Sequence, residues 1–193
     1  MINKLAYTTL VLFVLLFLFG CREEGVPRPR GYFRIDLPEH GYSKFESECN
    51  IEMDIPNYAK IEMFKDRISP DSCWFNIHMP KLKATVYCTY FAVDNDFDKL
   101  VKDAYGFAAK HEMKATALKR TLINDAENKL YGIIYDIEGN AASQVQFFLS
   151  DSTQHFFRGS LYFNSRPNPD SLAPVLSFVR EDIDKMVRSV RWK

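Results

Sequence analysis

The sequence predicts an α+β domain: an antiparallel β-sheet packed with two main helices. Three observations predict it. Short stretches of alternating apolar residues bounded by turn residues recur along the chain. Two stretches, one from Phe97 and one from Leu172, carry apolar residues at helical spacing instead. Aromatic content is high, with 16 Phe and 10 Tyr, residues that favour strands and packed sheet faces.

The N-terminal segment stands outside that domain. A lone positive charge, Lys4, precedes a continuously apolar run from Leu10 to Phe19, ten residues long. A helix needs roughly 20 apolar residues to cross a hydrocarbon core of ~30 Å. The run is short for that and fits the core of a signal peptide. Leu18-Phe19-Gly20-Cys21 reads as a lipobox, in which a small residue before cysteine permits cleavage and the thiol then carries a diacylglyceryl group. The alternative is an N-terminal membrane anchor with Cys21 unmodified. Arg22-Glu23-Glu24 and the Pro-spaced basic stretch Gly25 to Gly31 follow as an extended tether. The expected organisation is a lipoprotein signal peptide over 1–20, a lipidated Cys21 with flexible tether over 21–31, and a single α+β domain over 32–193. Buried methylenes contribute about 0.8 kcal/mol each, so several acyl chains would hold the mature chain on a membrane.

Removing residues 1–20 leaves 173 residues, enough for one domain with a sizeable core, and 24 basic against 25 acidic side chains. A net charge of −1 sets up no long-range field for nucleic acid, which excludes that class of partner.

Of four cysteines, Cys49, Cys73 and Cys88 remain once Cys21 is lipidated. An exported chain meets oxidising conditions, so one disulfide and one leftover thiol are expected. Cys49 and Cys73 each stand at the start of a predicted strand, and their pairing is preferred. The rival is Cys73 with Cys88, facing each other if Pro80-Lys81 forms a two-residue hairpin turn, although Pro suits other turn types better there. Neither spacing is that of a zinc site, and no metal or cofactor is expected.

Taken in order, Tyr32 to Pro38 alternates and stops at a proline, as a short edge strand does. Asn50–Ile55, Ala59–Phe64, Cys73–His78 and Ala84–Phe91 repeat the signature. Asp94-Asn95-Asp96 offers an N-cap, after which Phe97, Leu100, Val101, Ala104, Tyr105 and Ala108 form a helical stripe that can run to about Leu118. Strands follow over Leu118–Asn124, Lys129–Ile137, Gln144–Ser150 and His155–Phe163, the first two joined by Asp125 to Asn128 and the last two by Asp151 to Gln154. A second helix should start after Pro169 with Asp170 or Ser171 as cap, Pro174 in its first turn, and a stripe of Leu172, Val175, Leu176, Val179, Ile183, Met186 and Val187. Ser189 to Lys193 can close a sheet. Both helices must bury their stripes on the sheet, and the element order is similar to the Mog1/PsbP-like sandwich.

Candidate chemistry is sparse. Asp136, Glu138, Asp151, His155 and Asp170 are the titratable candidates, and Gly139-Asn140-Ala141-Ala142-Ser143 is the most distinctive loop, a possible partner-binding turn whose small residues permit close approach. Ser143 with His155 and Asp151 does not fit a nucleophile-elbow pattern. Gly-rich phosphate loops are absent. No catalytic residue is assigned. The alternative to a scaffold is a ligand-binding or hydrolytic domain with a pocket near Asp151 and His155.

Several segments together carry a family resemblance: Pro27-Arg28-Pro29-Arg30-Gly31-Tyr32-Phe33-Arg34-Ile35-Asp36-Leu37-Pro38, Cys73-Trp74-Phe75-Asn76-Ile77, Lys83-Ala84-Thr85-Val86-Tyr87, the Gly139 to Ser143 loop, Asp151-Ser152-Thr153-Gln154-His155-Phe156, and Arg191-Trp192-Lys193. They resemble the gliding-motility lipoprotein family GldD over essentially the whole mature chain. The resemblance implies a non-enzymatic Bacteroidetes envelope lipoprotein, lipidated at Cys21, supporting the gliding machinery interlinked with type IX secretion. Its implied partners are other gliding and secretion envelope proteins and the membrane through the anchor, with no nucleic acid and no small-molecule substrate. It also fits a Cys49 to Cys73 pairing. Arg22-Glu23-Glu24 looks like an acidic surface-export signal of that phylum, with a plain tether as the alternative; the implied location is the outer membrane, on either face.

Overall fold

A computed structural model of the chain describes Tyr7 and residues 35–69, 71–112, 115–164 and 169–193. Among the described residues from 35 onward, two sheets and two helices build the domain. Strands β1 (Tyr42–Glu46), β2 (Ile51–Pro56) and β10 (Arg191–Trp192) form a three-stranded sheet in the order β1-β2-β10. The larger, seven-stranded sheet contains β3 (Lys60–Met63), β4 (Ser72–Met79), β5 (Ala84–Ala92), β6 (Ala115–Asp125), β7 (Leu130–Gly139), β8 (Val145–Ser150) and β9 (His155–Phe163), in the order β3-β4-β5-β9-β8-β7-β6. Every pairing is antiparallel. Helix α1 (Phe97–Glu112) and helix α2 (Pro169–Ser189) complete an α+β fold of the expected class.

Alternation along the strands sorts side chains onto two faces. On one face Phe75 and Ile77 of β4, Val86 and Tyr90 of β5, and Phe157 and Leu161 of β9 meet Ile51 and Met53 of β2 and the α2 stripe Val175, Val179, Ile183, Met186 and Val187. This is the main core. On the other face α1 places Ala104 and Ala108 on Tyr135, Phe148 and Phe156, making a smaller core over the β7-β8-β9 side. Strand β8 is accordingly buried on both faces, its polar Gln146 and Ser150 included. Among the described residues, no helix lies over the β4-β5 side of that second face.

Three boundaries differ from expectation. Ile35 to Pro38 is not a strand; Leu37 N–H turns back to the Ile35 carbonyl at 3.1 Å, and Tyr42–Glu46 takes the edge beside β2 instead. Residues 32–34 lie outside the described set. Helix α1 ends at Glu112 rather than near Leu118, because residues from Ala115 pair with β7 along its whole length, through a bulge between Ala115 and Ala117. Helix α2 starts at Pro169 itself, so Pro174 lies beyond the first turn.

The β4-β5 hairpin resolves a question of register. Pro80–Leu82 forms a 3-10 turn, and Lys83 at φ 49° closes it, so Met79 faces Ala84 rather than Lys81 following Pro80 in a two-residue turn. Cys73 therefore sits opposite Tyr90, and Cys88 opposite Phe75.

Gly132 marks a close approach in the β7-β8 ladder. A Cβ there would lie 2.0 Å from the Phe148 carbonyl oxygen, a main-chain atom that cannot rotate away. Gly132→Ala is expected to destabilise the domain by about 3 kcal/mol, the upper part of the overpacking range, read as a lowered midpoint in thermal unfolding. An unchanged midpoint would mean that the ladder opens without cost.

Candidate functional site

The candidate residues read from sequence are held in structural roles. Asp151 closes the β8-β9 hairpin: its Oδ1 accepts the backbone N–H groups of Thr153, Gln154 and His155 at 3.0, 2.8 and 2.8 Å. Burial pushes its carboxyl up, but those bonds together outweigh burial and hold it below the usual carboxylate range. His155 Nδ1 shares a hydrogen bond with the Tyr90 hydroxyl at 2.8 Å, and its ring stacks on Trp192 with centroids 5.2 Å apart. Burial lowers the His155 pKa, favouring neutral imidazole. Ser143 is fully buried and donates to the Val145 carbonyl at 3.3 Å. These three side chains do not form a triad, since Asp151 takes the main-chain N–H of His155 and not its ring, and Ser143 bonds the Val145 carbonyl.

Asp136 accepts from Arg180 of α2 at 2.5 and 3.2 Å, and Glu138 pairs with Lys119 at 2.5 Å. Both flank a cleft of about 600 Å³ between β7 and α2, lined also by Leu172, Leu176 and Val145. The loop from Gly139 to Ser143 borders it. Gly139 takes φ 101°, which its lack of a Cβ permits. Ala141 and Ser143 point inward, leaving Asn140 and Ala142 exposed. Gln144, next along, buries its Oε1 without a hydrogen-bond partner among the described residues. Cys21 and the side chain of Asp170 lie outside the described residues.

Sequence reading missed two features. The first is Asp182, fully buried in α2, whose carboxylate accepts from the Tyr42 hydroxyl at 2.7 Å, from the Tyr58 hydroxyl, and pairs with His40 Nδ1 at 2.8 Å. His40 stacks on Phe178, centroids 4.1 Å apart. The cluster ties the segment entering β1, and the turn after β2, to the second helix. Its signal was available: Asp182 lies three residues after Val179 and four before Met186, on the apolar side of the stripe.

The second is a groove of about 730 Å³ on the helix-free part of the seven-stranded sheet. Cross-strand register builds its floor in rows. Trp74, Thr89 and Arg158 stand side by side across β4, β5 and β9, and Asn76, Tyr87, Ser160 and Gln146 form the next row through β8. Phe107 of α1 and the turn at Lys65–Arg67 form the walls. Trp74 and Tyr87 are 38% and 50% exposed, with the Arg67 guanidinium 5.1 Å over the Trp74 ring. Arg158 is held between the rings of Phe107 and Phe91, 4.5 and 5.9 Å from their centroids. Burial lowers its pKa, and Asp103 offsets this from a distance beyond an ion pair.

Cys49 and Cys73 are joined by a disulfide with Cα atoms 5.6 Å apart, linking the start of β2 to β4 and so one sheet to the other. Cys88 is a free thiol buried in the main core, and burial pushes its pKa far up. The thiolate is the reactive form. Ellman's reagent is therefore expected to leave Cys88 untouched in the folded protein and to titrate it after denaturation; fast reaction with the native chain would contradict this burial.

The fold and its inter-sheet disulfide define a class, the disulfide-linked two-sheet α+β domains. The chain belongs to the gliding motility lipoprotein GldD family, whose sequence model matches residues 22–192. It is thus a gliding-motility-associated, lipid-anchored envelope protein. No curated protein sequence matches it as a relative. Among solved structures it is similar to the solution structure of cyanobacterial PsbP (CyanoP) from Synechocystis sp. PCC 6803, at 8% identity and TM-score 0.49, covering 82% of this chain and 96% of that one. No functional statement follows from so distant a likeness.

Proposed function

We propose that this lipoprotein is a non-enzymatic factor supporting assembly or stability of the gliding machinery linked to type IX protein secretion, held on the outer membrane by acyl chains on Cys21. Family membership over residues 22–192 carries the reading. In this reading residues 21–31 act as the tether and 32–193 as the docking domain. In this reading Ser143, Asp151 and Nδ1 of His155 serve as structural hydrogen-bonding groups.

Docking is assigned to the rim formed by Asn140 and Ala142, beside the apolar cleft at Leu172 and Leu176, with a protein component of the machinery as partner. A photocrosslinker placed at Asn140 in motile cells is expected to capture a gliding or secretion protein. Failure to capture one, together with normal motility of Asn140→Arg and Ala142→Arg chains, would sink the docking assignment. Intact-mass measurement of the N-terminal peptide tests the anchor separately: an unmodified full-length chain would overturn the location.

A further inference from the structure

We propose that the groove over β4, β5 and β9 binds an acidic saccharide, with Arg158 taking the carboxylate, Gln146, Thr89 and Ser160 the hydroxyls, and Trp74 and Tyr87 the ring faces. This goes beyond the protein-docking reading and uses different elements, so either can fail alone.

Arg158 is the first ground. Arg158 is half-buried, and a guanidinium drawn partly out of water gains from a carboxylate at hydrogen-bond distance. Here no carboxylate of a described residue forms an ion pair with it; its neighbours are two phenyl rings that fix its orientation. Asp66 in the groove lining pairs with Arg67 at 3.9 Å and Asp103 acts on Arg158 only from a distance, so a ligand's carboxylate has room at the guanidinium, whose planar edge grips a carboxylate through two parallel bonds.

Gln146 is the second and independent ground. Its side chain is 4% exposed, lines the groove, and makes no hydrogen bond to any described residue. Thr89 beside it is 8% exposed, and its hydroxyl is likewise unbonded among the described residues. Neither is a sealed, unsatisfied group: their polar atoms open onto the groove floor, where a ligand's hydroxyls can bond them.

Shape chooses between ligand classes. The groove lies on the face of strands whose main-chain groups are paired on both sides, so an extended peptide gains no strand-to-strand bonds there. The face offers flat aromatic rings alternating with amide and hydroxyl groups. A sugar ring has that same division, an apolar C–H face and a rim of hydroxyls. A volume of about 730 Å³ is within the range of small-ligand sites.

Calorimetric titration of the purified full-length lipoprotein in detergent tests this with two probes, trigalacturonate and N-acetylmuramic acid. At least one is expected to bind saturably, while trigalacturonate methyl ester and hexaglutamate bind far more weakly. Arg158→Gln is expected to weaken binding by about tenfold or more, Arg158→Lys by less, and Trp74→Ala severalfold. Should Arg158→Gln fail to fold, Trp74→Ala still decides, since the Trp74 side chain is exposed. Heat from neither probe, equal affinity for the ester, equal affinity for hexaglutamate, or unchanged affinity in the folded variants would overturn the proposal.

Discussion

Replacing Cys49 and Cys73 together by alanine is expected to lower the unfolding free energy by about 3 kcal/mol. The bridge closes a loop of 24 residues, and in the chain-entropy account a cross-link of that span removes this much freedom from the unfolded chain. At roughly 2–4 °C per kcal/mol for a domain of this size, the midpoint should fall by about 6–12 °C. The loss has a direction in the fold. Because the bridge joins β2 to β4, the three-stranded sheet should lose hydrogen-exchange protection first while β5, β9 and β8 keep theirs. Thermal unfolding and exchange of both chains under the same conditions measure this. A midpoint shift below about 2 °C, or uniform loss of protection, would show that packing alone holds the two sheets together.

Asp182→Ala should cost about as much or more, roughly 3 kcal/mol, because it strands the Tyr42 and Tyr58 hydroxyls and the His40 ring without their shared acceptor. Asp182→Leu combined with Tyr42→Phe and Tyr58→Phe removes both halves of the interaction and should recover part of that loss. Denaturant unfolding of the two chains separates a lost partner from lost packing. The cluster also predicts an alkaline dependence. Burial first, and then the bond to Asp182, raise the pKa of both tyrosines well above the ordinary phenol value. The folded chain therefore keeps protons that the unfolded chain releases near pH 10, the ordinary value being about 10. Their contribution is fully present below that pH and declines as pH rises above it. Comparing the parent with Tyr42→Phe between about pH 8 and 11 isolates the term, and Tyr42→Phe should show the shallower decline. Equal slopes would contradict the raised phenol.

Much of the fold was legible because local periodicity reports which side of an element is dry. Strand β9 spans His155–Phe163 as its alternation predicts. The helical stripe from Phe97 was equally clear, but its end was not. Ala115, Ala117 and Leu118 fit either period over so short a stretch, and pairing with β7 decided for the strand. Tyr42–Glu46 carries a weak pattern of mostly exposed residues, so only the presence of β2 beside it makes it a strand.

The candidate site was less legible for the same reason. Gln146, Thr89, Ser160 and Arg158 occupy polar positions in alternating strands, and such positions read as a solvated face. Whether that face meets water, a helix or a ligand depends on where α1 crosses the sheet, which the alternation within the strands does not encode. Asp182 escaped notice because helical periodicity scores a carboxylate as outward-facing, whereas two tyrosines and a histidine more than a hundred residues away make its burial tolerable.

The sequence by itself determined the α+β class, the order of the elements from β2 onward and the family segments, all of which depend on neighbours along the chain. Tertiary structure alone decided the β4-β5 register that sets Cys73 opposite Tyr90, the acceptor role of Asp182, and the helix-free sheet face where Arg158 has no carboxylate partner among the described residues. Those properties belong to pairs of distant residues, and their energies exist only once the strands and helices have been brought together.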